Sequence, residues 1–179
     1  FNMKNTLYTL AVVFVVALFG CAGEATHDHS QLSLVKTDDE NSANIELLFD
    51  KYAGNEWDVM NLYAEDVICK INNIEFSGRD NLMGGFKMHH DALYSNIAFA
   101  DMRIHTEYWS DGEVWSRSWF TWTGQGQTTG ADYSNRGHFS YQWKDGQIAE
   151  IHGYWSEDIQ NAEVAALEAQ IASLEAQRD

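Results

Sequence analysis

The side chains best suited to moving a proton lie in the stretch "KMHHDAL", where His89 and His90 precede Asp91. Histidine has an ordinary pKa of about 6.5, close to neutral pH, which makes it the most frequent general base. His89 also falls on the apolar stripe of a predicted helix, where burial would tune its pKa. A histidine at the edge of the core, bonded to a backbone carbonyl, explains the same position more simply. Asp66, in "AED", is a further candidate, although a cap or turn residue is the simpler role.

Nucleophilic and metal chemistry have weaker support in the sequence. Ser116 and Ser118 could hydrogen-bond a ligand, but neither has the neighbouring base or glycine elbow of a nucleophile. The tripeptide His27-Asp28-His29 has no further ligand nearby, so a solvated linker explains it better than a metal site. We therefore expect neither a metal nor a cofactor.

The charge of the chain excludes partners that need a basic surface. The sequence has 27 acidic and 11 basic residues, for a formal net charge of −16. Such a chain is repelled by nucleic acid and by anionic lipid headgroups. We expect no nucleic-acid partner, and any membrane attachment must come from a lipid anchor.

The N-terminal segment is typical of an exported protein. Its apolar run "LYTLAVVFVVALFG" is shorter than the roughly 20 residues that span a bilayer, as in a secretory signal. The run ends in Leu18-Phe19-Gly20-Cys21, which resembles the lipobox of bacterial lipoproteins, where the cysteine is acylated; an ordinary signal peptide is the alternative. We predict a signal peptide in residues 1–20, lipidation of Cys21, a flexible tether in residues 21–37, and anchoring in the bacterial cell envelope.

Helical spacing dominates the chain from residue 38 to residue 96. Thr37 and Glu40 form a capping-box pattern, and the following apolar residues share one helix face: Ile45, Leu48, Phe49 and Tyr52. The segment "EWDVMNLYAED" is predicted to be a second short helix, and "VICKINNIEFSG" to be extended. Ser77 and Asp80 are expected to cap a third helix with the stripe Leu82, Phe86, His89 and Leu93. The pair Gly84-Gly85 inside this helix suggests close packing against a neighbour.

From residue 97 the apolar pattern changes to a period of two. Four segments alternate in this way, and two Asp-Gly turns and the glycine-rich loop "GQGQTTG" separate them, which predicts an antiparallel meander. Helices followed by such a sheet indicate an α+β domain. The tail, residues 159–179, is predicted to be an amphipathic helix with the seam Val164, Leu167, Ile171 and Leu174. It is too short for an independent coiled coil, so it should dock onto the domain or onto a second subunit.

Several of these segments together resemble the nuclear transport factor 2-like superfamily, with its SnoaL-like and ketosteroid-isomerase branches nearest. They are Tyr-x-Gly-Asn-x-Trp-Asp at residues 52–58, "LYAEDV", "FSGRDNL", the meander, and "WKDGQIAEIHGYWSED". The resemblance covers about residues 40 to 158, and we assign residues 38–158 to a SnoaL-like domain. It implies a cone-shaped barrel, in which a strongly bent antiparallel sheet wraps around the N-terminal helices and encloses a pocket.

The resemblance also implies which strand residues face that pocket. The last strand would contribute Ile151, Gly153 and Trp155, with Gly153 leaving room in the pocket floor. The other predicted ligand-binding residues are Trp57, Phe86, Ser116, Ser118, Trp122, Phe139 and Tyr141. Such an aromatic lining suits a flat apolar ligand held by one or two hydrogen bonds.

The catalytic groups of ketosteroid isomerases do not carry over to this chain. Their strand acid corresponds to Phe139, their general base falls near Ile71 or Asn72, and their tyrosine falls near Leu48. None of these side chains transfers a proton, so His89, His90 and Asp66 remain the candidates for catalysis.

The opposite face of the sheet carries histidines and large aromatics, among them Trp115, Trp119 and Tyr154. If residues 144–146 form a three-residue loop, His138 lies across from His152, where the pair could bind a metal. A homodimer interface, common on this face in the superfamily, explains the exposed aromatics better.

Three functions remain from the sequence. The first is a lipid-anchored module that binds a small apolar or aromatic molecule. The second is a SnoaL-like hydratase, isomerase or cyclase with a pocket histidine as base. The third is an accessory lipoprotein that dimerises and fills its cavity with its own side chains.

Overall fold

The fold is that of the computed structural model, which describes residues 34–178. In chain order its elements are β1 (Leu34–Lys36), α1 (Glu40–Ala53), a 3-10 turn (Met60–Leu62), β2 (Tyr63–Ile71), β3 (Ile74–Ser77), α2 (Arg79–Met88), a π-helical turn (His89–Leu93), β4 (Tyr94–Tyr108), β5 (Val114–Gly126), β6 (Asp132–Lys144), β7 (Gln147–Trp155) and α3 (Asp158–Ala176). The predicted α+β class is confirmed. The predicted signal peptide, Cys21 and most of the predicted tether lie outside the described residues.

One seven-stranded curled sheet forms the frame, in the order β1-β4-β5-β6-β7-β2-β3. The meander β4 to β7 is antiparallel, as predicted, whereas β2 pairs in parallel with β7. β1 and β3 are the two edges, so the curled sheet is not closed into a barrel. The end of the segment predicted as a tether is therefore structured, because Leu34–Lys36 pairs with Thr106 to Tyr108 of β4.

Two local predictions in the first half of the domain are wrong. The segment "EWDVMNLYAED", predicted as a second helix, contains only the 3-10 turn. Strand β2 begins within it, at Tyr63, because the chain is extended there and buries Tyr63, Val67, Cys69 and Ile71 in the core. The helix starts also differ from the predicted caps. Asp39 caps α1 by accepting a 2.9 Å hydrogen bond from the Ser42 backbone N–H, and Gly78 precedes α2 with no side-chain cap.

The core lies between the concave face of the sheet and helix α1. Ile45, Leu48 and Phe49 of α1 are buried against Val67, Cys69, Ile148 and Ile151 of the sheet. A chain of buried hydroxyls fixes α1 to the strands: Ser42 bonds Thr106 at 2.9 Å, and Thr106 bonds Ser116 at 2.8 Å. Because each of these buried polar groups has a partner, the chain fixes the position of α1 without an unmet hydrogen bond.

The β6–β7 turn has two residues rather than the three considered above. Asp145 and Gly146 have φ values of 52° and 78°, and Lys144 pairs directly with Gln147. Two positive φ values are the requirement of a tight type I′ hairpin turn, which Asp-Gly favours. The β6–β7 pairing also shifts register between Gln142 and Trp143, just before the turn. His138 therefore lies opposite Tyr154, and the predicted His138–His152 pairing is wrong.

Candidate functional site

A cavity of about 400 Å³ lies between helices α1 and α2 and the concave face of the sheet. Most of its wall is apolar or aromatic. The lining residues include Leu48, Phe49, Tyr52, Tyr63, Leu82, Phe86, His89, Tyr94, Phe120, Trp122, Phe139, Tyr141, Ile151, Trp155 and Ile159. The cavity therefore contains six of the nine predicted ligand-binding residues: Phe86, Trp122, Phe139, Tyr141, Ile151 and Trp155.

The other three predicted ligand-binding residues lie outside the lining. Trp57 stacks on Phe86, with ring centroids 6.4 Å apart. Ser116 and Ser118 are fully buried: Ser116 accepts a 2.8 Å bond from Trp143 Nε1, and Ser118 donates to the Phe139 carbonyl at 3.5 Å. Both hydroxyls are engaged in these bonds, and neither serine is among the residues that line the cavity.

The cavity floor is made of aromatic rings that lie over glycines of the next strand. Phe139 is paired with Gly153, and Phe120 with Gly137. A Cβ built on Gly153 would stand 2.9 Å from both Phe139 Cδ1 and Ile71 Cδ1, and closer still to Phe139 Cε1. The space at Gly153 is thus occupied by Phe139, and the prediction that it is left for a ligand is wrong. The rings of Phe120 and Phe139 are stacked nearly parallel, with centroids 5.6 Å apart.

Tyr52 and His89 form the main polar pair on the wall. The Tyr52 hydroxyl lies 2.8 Å from His89 Nδ1 and holds the imidazole in place. Burial, and to a smaller degree the neighbouring His90, lower the pKa of His89 to about 4. Burial also raises the pKa of the Tyr52 phenol well above its ordinary value. Both groups are consequently neutral at pH 7, and they can donate or accept hydrogen bonds.

His89 begins the π-helical turn that joins α2 to β4. Such turns are rare and often occur at functional sites. Gly84 and Gly85 precede it in α2. Nothing lies within 4 Å of a Cβ built on either glycine, so the predicted close packing of this pair is wrong. Gly85 lines the cavity, whereas Gly84 is exposed.

The other two catalytic candidates are not part of this wall. His90 lies outside the cavity lining, with its ring 5.0 Å from the ring of Tyr52 and 5.7 Å from that of Trp57. Its Nε2 is buried without a hydrogen-bond partner among residues 34–178. Asp66 is exposed on β2 and does not reach the cavity. Of the three candidates, only His89 can contact a molecule in the cavity.

Two phenols, those of Tyr63 and Tyr141, also line the cavity. Along β6 the lining residues run from Asn135 through Gly137 and Phe139 to Tyr141, and Trp143 beyond them is buried outside the lining. Tyr63 lies in register with Ile148 of β7. Burial, with a further contribution from nearby Tyr141, raises the pKa of Tyr63 far above its ordinary value.

Helix α3 also borders the cavity. Ile159 and Gln160 of its first turn line the cavity, and Val164 packs against the cluster around Leu93 and Tyr94. Glu163 is fully buried and accepts hydrogen bonds from the Thr128 and Thr129 backbone N–H groups and from the hydroxyls of Thr129 and Tyr133. Burial alone would raise its pKa, but these hydrogen bonds lower it below the ordinary value. A charged residue therefore fixes α3 to the β5–β6 loop.

The outer face of the sheet carries a row of stacked rings. His105, Trp119, His138 and Tyr154 follow one another across four strands, with centroid separations of 5.4, 4.6 and 6.4 Å. His138 donates from Nδ1 to the Ser118 carbonyl at 2.9 Å, with Nε2 3.2 Å from the Ser140 hydroxyl, which fixes its tautomer. Trp119 is 44% exposed and Tyr154 is 53% exposed.

Between residues 34 and 178, no group of three or more His, Cys, Asp or Glu side chains is placed to hold a metal ion. In the same range no helix is both long enough and apolar enough to cross a membrane.

Sequence reasoning missed three of these residues. The apolar spacing places Tyr52 on the buried face of α1, and its hydroxyl is the feature of the sequence that points to a polar contact there. Tyr63 stood in the segment predicted as a helix. Glu163 lay among solvent-type charges of the tail, and no feature of the sequence marks it as buried.

Comparison with solved structures shows the same fold in proteins of low sequence identity. A proposed isomerase from Bacillus subtilis superposes with a TM-score of 0.57 at 13% identity, over 69% of this chain and 91% of that one. A proposed polyketide cyclase from Xanthomonas campestris gives 0.54 at 20% identity, over 69% and 95%. A protein with a ketosteroid isomerase-like fold from Catenulispora acidiphila, in complex with trimethylamine, gives 0.52 at 14% identity, over 63% and 85%. No curated protein matches the chain.

The model of the SnoaL-like domain family matches residues 46–151, which is 106 of the 179 residues. The sequence resemblance is thereby confirmed. The chain belongs to the SnoaL-like domain family of the nuclear transport factor 2-like superfamily.

Proposed function

We propose that this domain binds a small, flat, apolar molecule in its cavity and that the Tyr52–His89 pair hydrogen-bonds a polar group of that molecule. The observation that carries the proposal is a cavity of about 400 Å³ walled by aromatic rings. Ligand pockets of proteins usually measure roughly 300 to 1,000 Å³ and combine an apolar wall with few polar groups. Phe120 and Phe139 are among the aromatic rings of this wall, and a planar molecule can stack on the face of such a ring.

The chemistry of His89 favours binding over proton transfer. A general base works best when its pKa lies near the operating pH. The pKa of His89 is about 4, and its hydrogen-bond partner is the Tyr52 phenol rather than a carboxylate. A neutral imidazole of this kind is a weak base but a good hydrogen-bonding group. It therefore serves recognition better than catalysis.

An enzyme of the hydratase, isomerase or cyclase type is the second candidate, with His89 as base. Two observations favour it: His89 faces the cavity, and solved structures with the same fold are named as a proposed isomerase and proposed polyketide cyclases. In that case His89→Gln would abolish turnover of a substrate while leaving its binding within a few-fold. Under the binding proposal the substitution weakens binding and there is no turnover to lose.

Two neighbouring glycines provide a matched test of the cavity. Leucine at Gly85 would project into the cavity, where nothing lies within 4 Å of the new Cβ, whereas leucine at the exposed Gly84 would not. Native mass spectrometry of the protein purified from varied extracts should show a co-purified small molecule. We expect Gly84→Leu to retain it and Gly85→Leu to lose it. Equal occupancy in both variants would contradict binding in this cavity.

We also propose that the protein is exported and attached to the bacterial cell envelope by lipid at Cys21. The lipobox-like residues Leu18 to Cys21 support this, and the formal net charge of −16 opposes electrostatic attachment to anionic lipid. Cys21→Ser should move the protein from the membrane fraction to the soluble fraction. Retention of the variant in the membrane would contradict a lipid anchor.

The exposed ring row on the outer sheet face supports a further proposal, a homodimer. Trp119 and Tyr154 are large, exposed and adjacent to His138, and such patches on soluble domains usually mark contact surfaces. An accessory role that depends only on this dimer is the third candidate. The open cavity disfavours it, because Trp122 and Trp155 line the space without filling it.

A further inference from the structure

Some of the residues that line the cavity are also exposed to solvent, and they mark its opening. They are Ile74, Met88, Arg136, Ser156, Glu157 and Asn161. A residue that meets both conditions lies where the cavity meets the solvent. Ser156 and Glu157 directly precede helix α3, and Asn161 lies in its first turn. The N-terminal end of α3 therefore borders the opening.

Helix α3 is fixed to the domain near its start and along one short stretch. At the start, Asn135 Nδ2 donates to the Ser156 carbonyl at 2.7 Å, and Asn72 Nδ2 donates to Glu157 Oε1 at 3.0 Å. Further along, three partly buried side chains pack against the cluster around Leu93: Ile159, Val164 and Leu167. Every residue from 168 to 178 is exposed, so the second half of α3 adds no buried contact.

Glu163 lies in the middle of this short stretch. It is the only buried residue with a charged side chain between residues 34 and 178. Its carboxylate accepts bonds from the backbone N–H groups of Thr128 at 2.5 Å and of Thr129 at 3.2 Å. A Cβ on Gly126 would overlap Glu163 Oε2, so this glycine leaves the space that the carboxylate occupies. The β5–β6 loop is thus shaped around this one side chain.

A contact of this kind is precise in position and yet reversible. When α3 separates from the loop, water hydrates both the carboxylate and the N–H groups, so the net free energy of the contact is much smaller than that of the bonds themselves. A large apolar side chain would instead lose its buried area to water and gain nothing in return. The attachment of α3 therefore depends on a contact that opens without exposing a large apolar surface.

We propose that α3 is a lid over the opening of the cavity, that it moves about Ser156 and Glu157, and that Glu163 is the latch that holds it closed. Opening separates Val164 and Leu167 from the Leu93 cluster and admits a ligand. The inference rests on the proposed function, because a lid controls ligand exchange only if the cavity binds ligands. It adds a device that sets the rate of exchange rather than the affinity.

Stopped-flow tryptophan fluorescence with fluorene as the probe measures this rate, because Trp122 and Trp155 line the cavity. Glu163→Gln should raise both the association and the dissociation rate constants about ten-fold, because it weakens charge-assisted hydrogen bonds. Their ratio, the Kd, should stay nearly unchanged. Glu168→Gln is the matched control: it makes the same chemical change at an exposed position of the same helix and should alter neither rate constant.

Tyr133→Phe is a milder variant. It removes one donor to the Glu163 carboxylate and keeps the ring, so both rate constants should rise about three-fold. If fluorene binds and the rate constants of Glu163→Gln and Tyr133→Phe equal those of the wild-type protein, the latch is refuted and the binding function stands. If fluorene does not bind the wild-type protein, the binding function is contradicted, and hydrogen exchange alone decides whether α3 opens.

Hydrogen exchange of the wild-type protein without a ligand tests the opening itself. Relative to their intrinsic rates, the backbone amides of Val164 to Leu167 should exchange faster than those of β5 and β6, because α3 opens while the sheet stays folded. If these amides exchange as slowly as the slowest amides of the sheet, α3 separates only when the whole domain unfolds, and the inference is overturned.

Discussion

Replacing Gly153 with alanine tests how the cavity floor is built. The new Cβ would stand 2.9 Å from Phe139 Cδ1 and from Ile71 Cδ1, whereas carbon atoms normally approach to about 3.5 Å. The Phe139 ring must therefore retreat by more than about 0.6 Å, because its Cε1 would lie closer still to the new Cβ. Overpacking of this kind typically costs 1–3 kcal/mol. Alanine has less conformational freedom than glycine in the unfolded chain, which offsets about 0.5–1 kcal/mol of this cost. We therefore expect the free energy of unfolding to fall by about 1–2 kcal/mol.

The matched control is Gly84→Ala, the same chemical change in helix α2 where nothing lies within 4 Å of the new Cβ. It should stabilise the protein by about 1 kcal/mol, because alanine is the better helix former. Urea denaturation followed by tryptophan fluorescence measures both free energies of unfolding, with the m-value as a check that the unfolding transition is unchanged. We expect the two variants to differ by about 2–3 kcal/mol in opposite directions.

Shortening Phe139 should relieve the strain in the Gly153→Ala variant. In a double-mutant cycle, Phe139→Leu should cost less in the alanine background than in the wild-type protein, with a coupling of about 1 kcal/mol. If Gly153→Ala and Gly84→Ala are equally stable, or if the cycle shows no coupling, then the glycine does not accommodate this ring and the description of the floor is refuted.

Three further predictions concern other parts of the domain. The pKa of His89 is about 4 against an ordinary 6.5, so the unfolded chain binds a proton that the folded protein does not, and stability falls as the pH drops below 6.5. Between pH 7 and pH 5 the wild-type protein should lose up to about 2 kcal/mol of unfolding free energy from this group. Urea titrations should show a smaller loss in His89→Gln, and an equal loss in both proteins would contradict the prediction. The lowered pKa of Glu163 contributes stability that is present above its ordinary value of 4.5 and is lost as the pH falls through the lower folded value. Glu163→Gln should lower the free energy of unfolding by about 2 kcal/mol at pH 7 and should speed hydrogen exchange in α3. Unchanged exchange would show that this carboxylate does not hold the helix. Trp119→Glu should convert a dimer to monomers in sedimentation. Because burial lowers the pKa of His138 below 6.5, association of the wild-type protein should weaken only at pH values below 6.5. A sedimentation mass that is unchanged from pH 8 to pH 5 would show that no histidine titrates at the interface.

Much of the fold could be predicted because its signals are local. The Asp145-Gly146 turn and the alternation around Phe139 and Trp155 determine a hairpin and assign its two faces, and both were found. The first half was harder, since the apolar spacing around Tyr63 fits a helix and a strand equally well over so short a segment. Its pairing with β7 joins residues far apart in sequence, and no local pattern encodes it.

The candidate site was predicted as a set of aromatic side chains but not as a set of hydrogen bonds. The positions of the aromatic residues and the alternation of side chains along a strand predict which rings face the cavity. The hydrogen-bond partner of a polar group depends instead on how segments far apart in the sequence approach one another. Gly153 shows the limit: its lack of a side chain was recognised, but only the structure shows that Phe139 occupies the space. Glu163 shows the converse, a charged residue buried because the Thr128–Thr129 loop supplies its hydrogen bonds.

A crystal structure of the protein soaked with fluorene would test the central claim most directly. The account predicts one molecule inside the cavity, against the rings of Phe120 and Phe139, with none bound in a Gly85→Leu crystal. Density for fluorene only on the outer sheet face, against Trp119 and Tyr154, would contradict it.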